Sequence, residues 1–286
     1  MKLKHIVSLG AIGLTASVVL AQSQVHSLVV HEWGTFTSFQ GSDGNLLEWK
    51  PLETSELPKF VYDWNNNNLG LRSLNPYATI GKGRLPALQR METPVIYFYS
   101  DDELSVDVSI HFPNGLITEW FPQAGQIGPS ILLSNRPAYV PTNAAAPVSM
   151  IHWPNVRVMP AETGRRANSA LRNDNSGSHY FAARETDASM LEANAPDPKM
   201  DHADFEKFLF YRGVAHFETP LHVVMKSDDA VDIANTGKEP LAHLFVLDIK
   251  GDTGRFVYVP ELAPGAVKTV LLNSPDQVHP LGCPGT

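Results

Sequence analysis

The densest set of chemically capable side chains in this 286-residue chain is Ser178-His179-Tyr180 followed by Arg184-Glu185-Thr186-Asp187. A base, a phenol, a cation and two carboxylates stand close together, beside the glycine-bearing run Asn173-Asp174-Asn175-Ser176-Gly177. That density is what orienting a substrate or moving a proton requires. The plainer reading is a solvated loop with local ion pairs, each contributing little. His179, Tyr180, Arg184, Glu185 and Asp187 are the candidate catalytic residues. His216, Glu218 and His222 form a second set, whose even spacing puts them on one strand face if the strand runs through Pro220. Two imidazoles and a carboxylate suit a divalent metal, the one cofactor to which the sequence points.

His31-Glu32-Trp33 is a candidate ligand-binding run. Compared with a zinc-protease helix it fails, because Thr35 stands where the second histidine is needed. The local period is two, so His31 and Glu32 face opposite ways on a strand. Asp63, Asn65 and Asn67 imitate the start of a calcium loop, but Asn68 and Leu74 occupy its glycine and glutamate positions. Gly81-Lys82-Gly83 lacks the third glycine of a dinucleotide fingerprint, and neither a Gly-x-Ser-x-Gly elbow nor a Cys-x-x-Cys occurs. Three Glu-Trp pairs, Glu32-Trp33, Glu48-Trp49 and Glu119-Trp120, raise the possibility of stacking against sugar rings. Large aromatics are ordinarily core, and core is the expectation for the tryptophans unless a ring stands in a groove.

The elements that must position these residues read as mainly β. Strand-like runs rich in β-branched and aromatic residues cover Leu28–Phe39, Leu46–Trp49, Val95–Tyr99, Leu104–Phe112 and Leu116–Phe121. Further runs are Leu221–Met225, Ala230–Ala234, Leu241–Ile249, Arg255–Val259 and Val267–Leu272. Gly41-Ser42-Asp43-Gly44, Pro113-Asn114-Gly115 and Pro264-Gly265 supply the reversals. Leu241–Leu247, apolar on both faces except for His243, reads as a central strand. An echo links Met91-Glu92-Thr93-Pro94-Val95, then a strand and Ser100-Asp101-Asp102, with Phe217-Glu218-Thr219-Pro220-Leu221, then a strand and Ser227-Asp228-Asp229. It suggests two related modules; the plainer account is that Pro often starts strands and Asp-Asp often makes turns. Residues 160–204 are polar and poor in β-branched residues, a long connection with a short helix expected at Ala188–Ala193.

The expected organisation is a signal peptide over 1–21 and an N-terminal β module over 22–159. The connecting segment over 160–204 follows, then a C-terminal β-sandwich module over 205–273 and an irregular tail over 274–286. The fold class is thus two β-sandwich-like (Ig-like) modules. Lys2 and Lys4, the apolar run Ile6–Leu20 and the small residues at Val19-Leu20-Ala21 make the leader, which falls short of a membrane span. This points to an exported, soluble protein, periplasmic or extracellular, with no integral membrane segment after cleavage. Without Lys2 and Lys4 the 22 basic residues become 20 against 30 acidic ones. That acidity makes nucleic acid and anionic lipid poor partners. Cys283 is the one cysteine, so no internal disulfide can form, and recognisable copper or haem ligation is missing.

Val30-His31-Glu32-Trp33-Gly34-Thr35-Phe36-Thr37-Ser38, Met91–Val95 with Tyr97-Phe98-Tyr99, His179-Tyr180 through Asp187, and Phe208–Gly213 together resemble an uncharacterised family of exported bacterial proteins. The likeness spans nearly the whole mature chain. It implies location, no mechanism, and a further C-terminal region beyond Thr286 in family members. Two functions follow from the residues. One is a binding or cell-envelope-associated module for a glycan or an exported protein. The alternative is a metal-assisted hydrolase with its site between the two modules, where His179, Arg184, Glu185 and Asp187 would meet His31, Glu32 or His216.

Overall fold

The computed structural model describes residues 6–11, 14–20, 27–52, 57–64, 86–92, 94–128, 149–194, 203–250, 253–272 and 278–280. The run Asn65–Leu74, Gly81-Lys82-Gly83, the Ala21-Gln22 junction and Cys283 lie outside the described residues. The chain is mainly β, and the strand pairings among the described residues are antiparallel. It begins with β1 (Ile6–Ala11), β2 (Leu14–Leu20), β3 (Leu28–Trp33), β4 (Phe36–Gln40), β5 (Leu46–Leu47), β6 (Tyr62–Asp63) and β7 (Gln89–Met91). β8 (Val95–Ser100), β9 (Leu104–Phe112), β10 (Gly115–Phe121), β11 (Gln126–Gly128) and β12 (Ser149–Met159) come next. After the helix α1 (Ala161–Arg166) stand β13 (Met190–Asn194), β14 (Ala203–Glu206), β15 (Leu209–Ala215) and β16 (Leu221–Ser227). The chain then forms β17 (Ala230–Asn235), β18 (Leu241–Lys250), β19 (Thr253–Leu262), β20 (Val267–Leu271) and β21 (Val278–Pro280).

Two compact units share these strands: residues 1–37 with 49–216, and residues 38–48 with 217–286. In the first unit one sheet runs β1-β2-β9-β12-β13-β14, with β11 also on β12. Alternation makes β9 one-sided: Leu104, Val106, Val108, Ile110 and Phe112 are buried while Ser105 and His111 are exposed. The other sheet is built on β15, which is buried at every position. β10 pairs along one edge of β15, and β7 and β8 lie end to end along the other, with β3 outside β8. β8 and β10 contact β12, so the inward faces of the two sheets share a core that includes Phe98, Phe112, Trp120 and Trp153. Burying a large apolar side chain contributes about 1.5–3 kcal/mol, and two of the indole N–H groups in this unit's core also find backbone acceptors. Trp153 Nε1 donates to Pro122 O at 2.9 Å and Trp64 Nε1 to Ile117 O at 2.7 Å.

In the second unit β16-β17-β20 and β18-β19-β21 form two three-stranded sheets. Val231, Ile233 and Val270 of the first meet Val259 and Leu262 of the second in one core, closed by Leu272. Residues 38–48 are a strap on this unit. Phe39 and Gln40 pair with Leu47 and Leu46 through a turn in which Gly44 has φ +80°, a conformation glycine adopts without strain. Gln40 then donates to Leu221 O and accepts from Val223 N, both at 2.9 Å.

Several expectations are corrected by this arrangement. The division of the chain falls at 37/38, 48/49 and 216/217, not at 159/160 and 204/205. The segment 160–204 is part of the first unit, because β13 inserts between β12 and β14. Where a helix was expected over Ala188–Ala193 the chain forms the strand Met190–Asn194: Met190, Leu191 and Ala193 are buried in that sheet, and tertiary burial overrides helix propensity. β18 is an edge strand with one apolar face in solvent, Phe245 being 66% exposed, so Leu241–Leu247 is not a covered central strand. The Glu-Thr-Pro echo marks two strand starts of different kinds. β16 turns at Asp228-Asp229 into its neighbour β17, whereas β8 turns at Asp101-Asp102 into β9 of the other sheet. Ile6–Ala11 and Leu14–Leu20, within the stretch expected as a leader, form the hairpin β1-β2, with β2 paired along β9.

Candidate functional site

Phe208 leads into β15, which continues Leu209-Phe210-Tyr211-Arg212, so even positions share one face of the sheet and odd positions the other. Register carries the even set outward: Phe210 pairs with Val95, and Val95 with Trp33. Val214 pairs with Arg90, which aligns Glu92 with Arg212. Trp33, Val95, Phe208, Phe210, Arg212, Arg90 and Glu92 therefore line one cavity of about 510 Å³, with Leu57 and the turn Ser178–Ala183 beside them. All of these residues belong to the first unit. Its size falls in the range of small-molecule sites, and its apolar walls with a few convergent polar groups fit that class.

The turn over this face is a six-residue 3₁₀ segment, His179–Arg184, started by the Ser178 hydroxyl accepting from Tyr180 N at 3.2 Å. It is fixed by Glu206, whose side chain is fully buried. The Tyr180 hydroxyl donates to Glu206 Oε2 at 2.9 Å, Arg184 Nε and Nη2 donate to the same carboxylate at 2.9 and 2.6 Å, and Lys207 N donates to Oε1 at 2.8 Å. Such charge-assisted bonds are the strong class. The Arg184 guanidinium also lies over Phe181, Tyr180 and Phe60, and the Tyr97 hydroxyl donates to Ala183 O at 2.9 Å. Burial, reinforced by Glu206, pushes the Tyr180 phenol well above the usual phenolic range. Tyr180 is thus a neutral donor that holds the turn, not a base.

At the polar end Glu92 lies between two guanidiniums. Arg90 Nε is 3.0 Å from Glu92 Oε2 but out of line for a hydrogen bond, and Arg212 Nη2 is 3.8 Å away. The Thr37 hydroxyl donates to Glu92 Oε1 at 3.4 Å. Arg212 is nearly inaccessible at 3% side-chain exposure and stands opposite the buried Glu119 in the ladder. Trp33 is the opposite case, 65% exposed on the cavity wall. Trp64, Trp120 and Trp153 are core, as expected of tryptophan, whereas Trp49 is half-buried and Trp33 is exposed.

Of the candidate catalytic residues, His179 and Tyr180 line the cavity, and Arg184 acts behind it through Glu206. Glu185 and Asp187 are exposed and are not among the lining residues. Of the ligand-binding run, Trp33 lines the cavity. Glu32 lies on the other face, where it accepts from the Tyr211 hydroxyl, and His31 packs its ring against Tyr99 at 5.3 Å. The metal set loses its common face: β15 ends at Ala215 and β16 begins at Leu221, with no strand across Pro220. Among the described residues no group of three or more His, Cys, Asp or Glu is arranged to hold a metal ion.

Arg90, Glu92 and Arg212 were missed by sequence reasoning. The available signal was a charge at an even position of an apolar strand, Arg212 after Phe208 and Phe210, which alternation alone would have placed beside them. Compared with known proteins, the chain matches no family model, no curated protein and no solved structure.

Proposed function

We propose that this protein is an exported binding module whose first unit holds a saccharide in the cavity beneath Trp33. The observation that carries the reading is the exposed Trp33 indole on a cavity that also presents Arg90, Glu92, His179 and Arg212. An indole face stacks on the C–H face of a sugar ring, while fixed charged and polar groups orient its hydroxyls. Leaving an indole in water has no folding benefit, which favours a ligand for it. Export rests on the residue pattern of positions 1–21 and on the resemblance to exported bacterial proteins; the periplasm or the extracellular space follows from it.

Tryptophan fluorescence titrated with a panel of neutral and acidic oligosaccharides tests this. A saturable change for at least one of them, weakened about tenfold or more in Trp33→Ala, is the expected outcome. Binding that Trp33→Ala leaves untouched, or no binding across the panel, would sink the proposal.

A further inference from the structure

We infer that the saccharide taken by this cavity carries a carboxylate, and that Arg90, backed by Arg212, receives it. The inference rests on the saccharide reading above and adds the ligand's charge to it. The lining holds the guanidiniums of Arg90 and Arg212 and the carboxylate of Glu92, and the buried Glu119 stands opposite Arg212 in the ladder, so Arg90 is the cation that meets the cavity with Glu92 beside it.

Arg90 is the guanidinium with capacity to spare. A guanidinium has five N–H donors in a planar fork. Among the described residues Glu92 is the partner Arg90 has, reached by Nε at 3.0 Å and poorly aligned. Its side chain is 17% exposed and its Nε is buried without an aligned acceptor, whereas buried polar groups ordinarily have partners. A carboxylate on the ligand supplies two acceptors in the plane of the fork. The body of the ligand is set by the remaining walls: Val95, Phe208 and Phe210 are apolar, and Trp33 offers a flat face to a ring. Together these describe a uronic acid residue, ring on Trp33 and carboxylate on Arg90.

The test compares short oligogalacturonides with their methyl esters on the full-length protein by calorimetry, since esterification removes the charge and keeps the sugar. The acid is expected to bind about tenfold more tightly than the ester, and raised salt to narrow that gap. In Arg90→Gln the acid-to-ester ratio is expected to fall towards one. The wild-type comparison stands alone if that variant does not fold. Equal affinity for acid and ester overturns the inference and leaves the saccharide reading in place. Tighter binding of a sugar phosphate than of the uronate overturns it in favour of a different anion. No binding of either form, with none across the wider panel, removes both.

Discussion

Glu206 supports the candidate site without touching its cavity, and the two kinds of partner it has should respond differently to substitution. Tyr180→Phe removes one hydrogen bond from a carboxylate that keeps its Arg184 contacts, so the loss should be about 1–2 kcal/mol. Glu206→Gln leaves the half-buried Arg184 guanidinium without its counter-charge and should cost more, about 3–5 kcal/mol. Urea unfolding of both variants checks the order; the reverse order would mean that Arg184 finds water in place of Glu206. A pH dependence follows from the same buried phenols. Tyr180 and Tyr211 are both raised by burial first and by a neighbouring carboxylate second, Glu206 and Glu32 respectively. A folded-state value above the unfolded value of about 10 gives stability that is complete below that pH and lost as pH rises towards the folded value. In an alkaline titration these two of the eight tyrosines should ionise only together with loss of circular dichroism. Ionisation of all eight near pH 10 with the fold intact would contradict this.

At the scale of elements, the sheet that carries the cavity depends on how closely β10 approaches β15. A Cβ added at Gly213 would stand 2.4 Å from Leu116 O and 2.8 Å from Phe112 Cε1. Gly213→Ala must therefore push the strands apart one position from Arg212, costing about 1–3 kcal/mol and disturbing the polar end of the cavity. Thermal unfolding combined with the saccharide titration measures both; an unchanged melting temperature would show that the strands yield freely. The same comparison explains what the sequence could reveal. β9 was legible in full because its alternation from Leu104 to Phe112 is unbroken. β12, the longest strand, was not, because Pro154-Asn155 interrupts its pattern. There the register shifts between Trp153 and Val156, Asn155 takes φ 51°, and Asp107 accepts from its N–H at 2.7 Å. Leu28–Phe39 was read as one strand and is two, parted at Gly34-Thr35. For the site, local density brought out His179 and Tyr180, which one turn places together. Arg90, Glu92 and Arg212 converge only through pairing between distant strands, which no local window contains.

Over the whole molecule, the chain crosses between the two units three times, and the strap 38–48 makes the second unit discontinuous in sequence. Gln40 is its anchor, with Ser42 O accepting from Met225 N at 2.9 Å as a further bond. Gln40→Ala leaves Leu221 O and Val223 N without those partners and should cost the second unit about 1–2 kcal/mol. Calorimetry is expected to show a transition moved to lower temperature; an unmoved profile would mean that the strap is dispensable. Residue 40 is separated from its partners by 181 and 183 positions. A chain made from its N-terminus onward exposes the strap long before β16 exists, so one sheet edge waits through the synthesis of the entire first unit. A product that stops at His216 keeps the strap and loses Leu221, Val223 and Met225, the partners of Gln40 and Ser42. Quality control acting on broken or unfinished copies therefore has a ready handle far from the break.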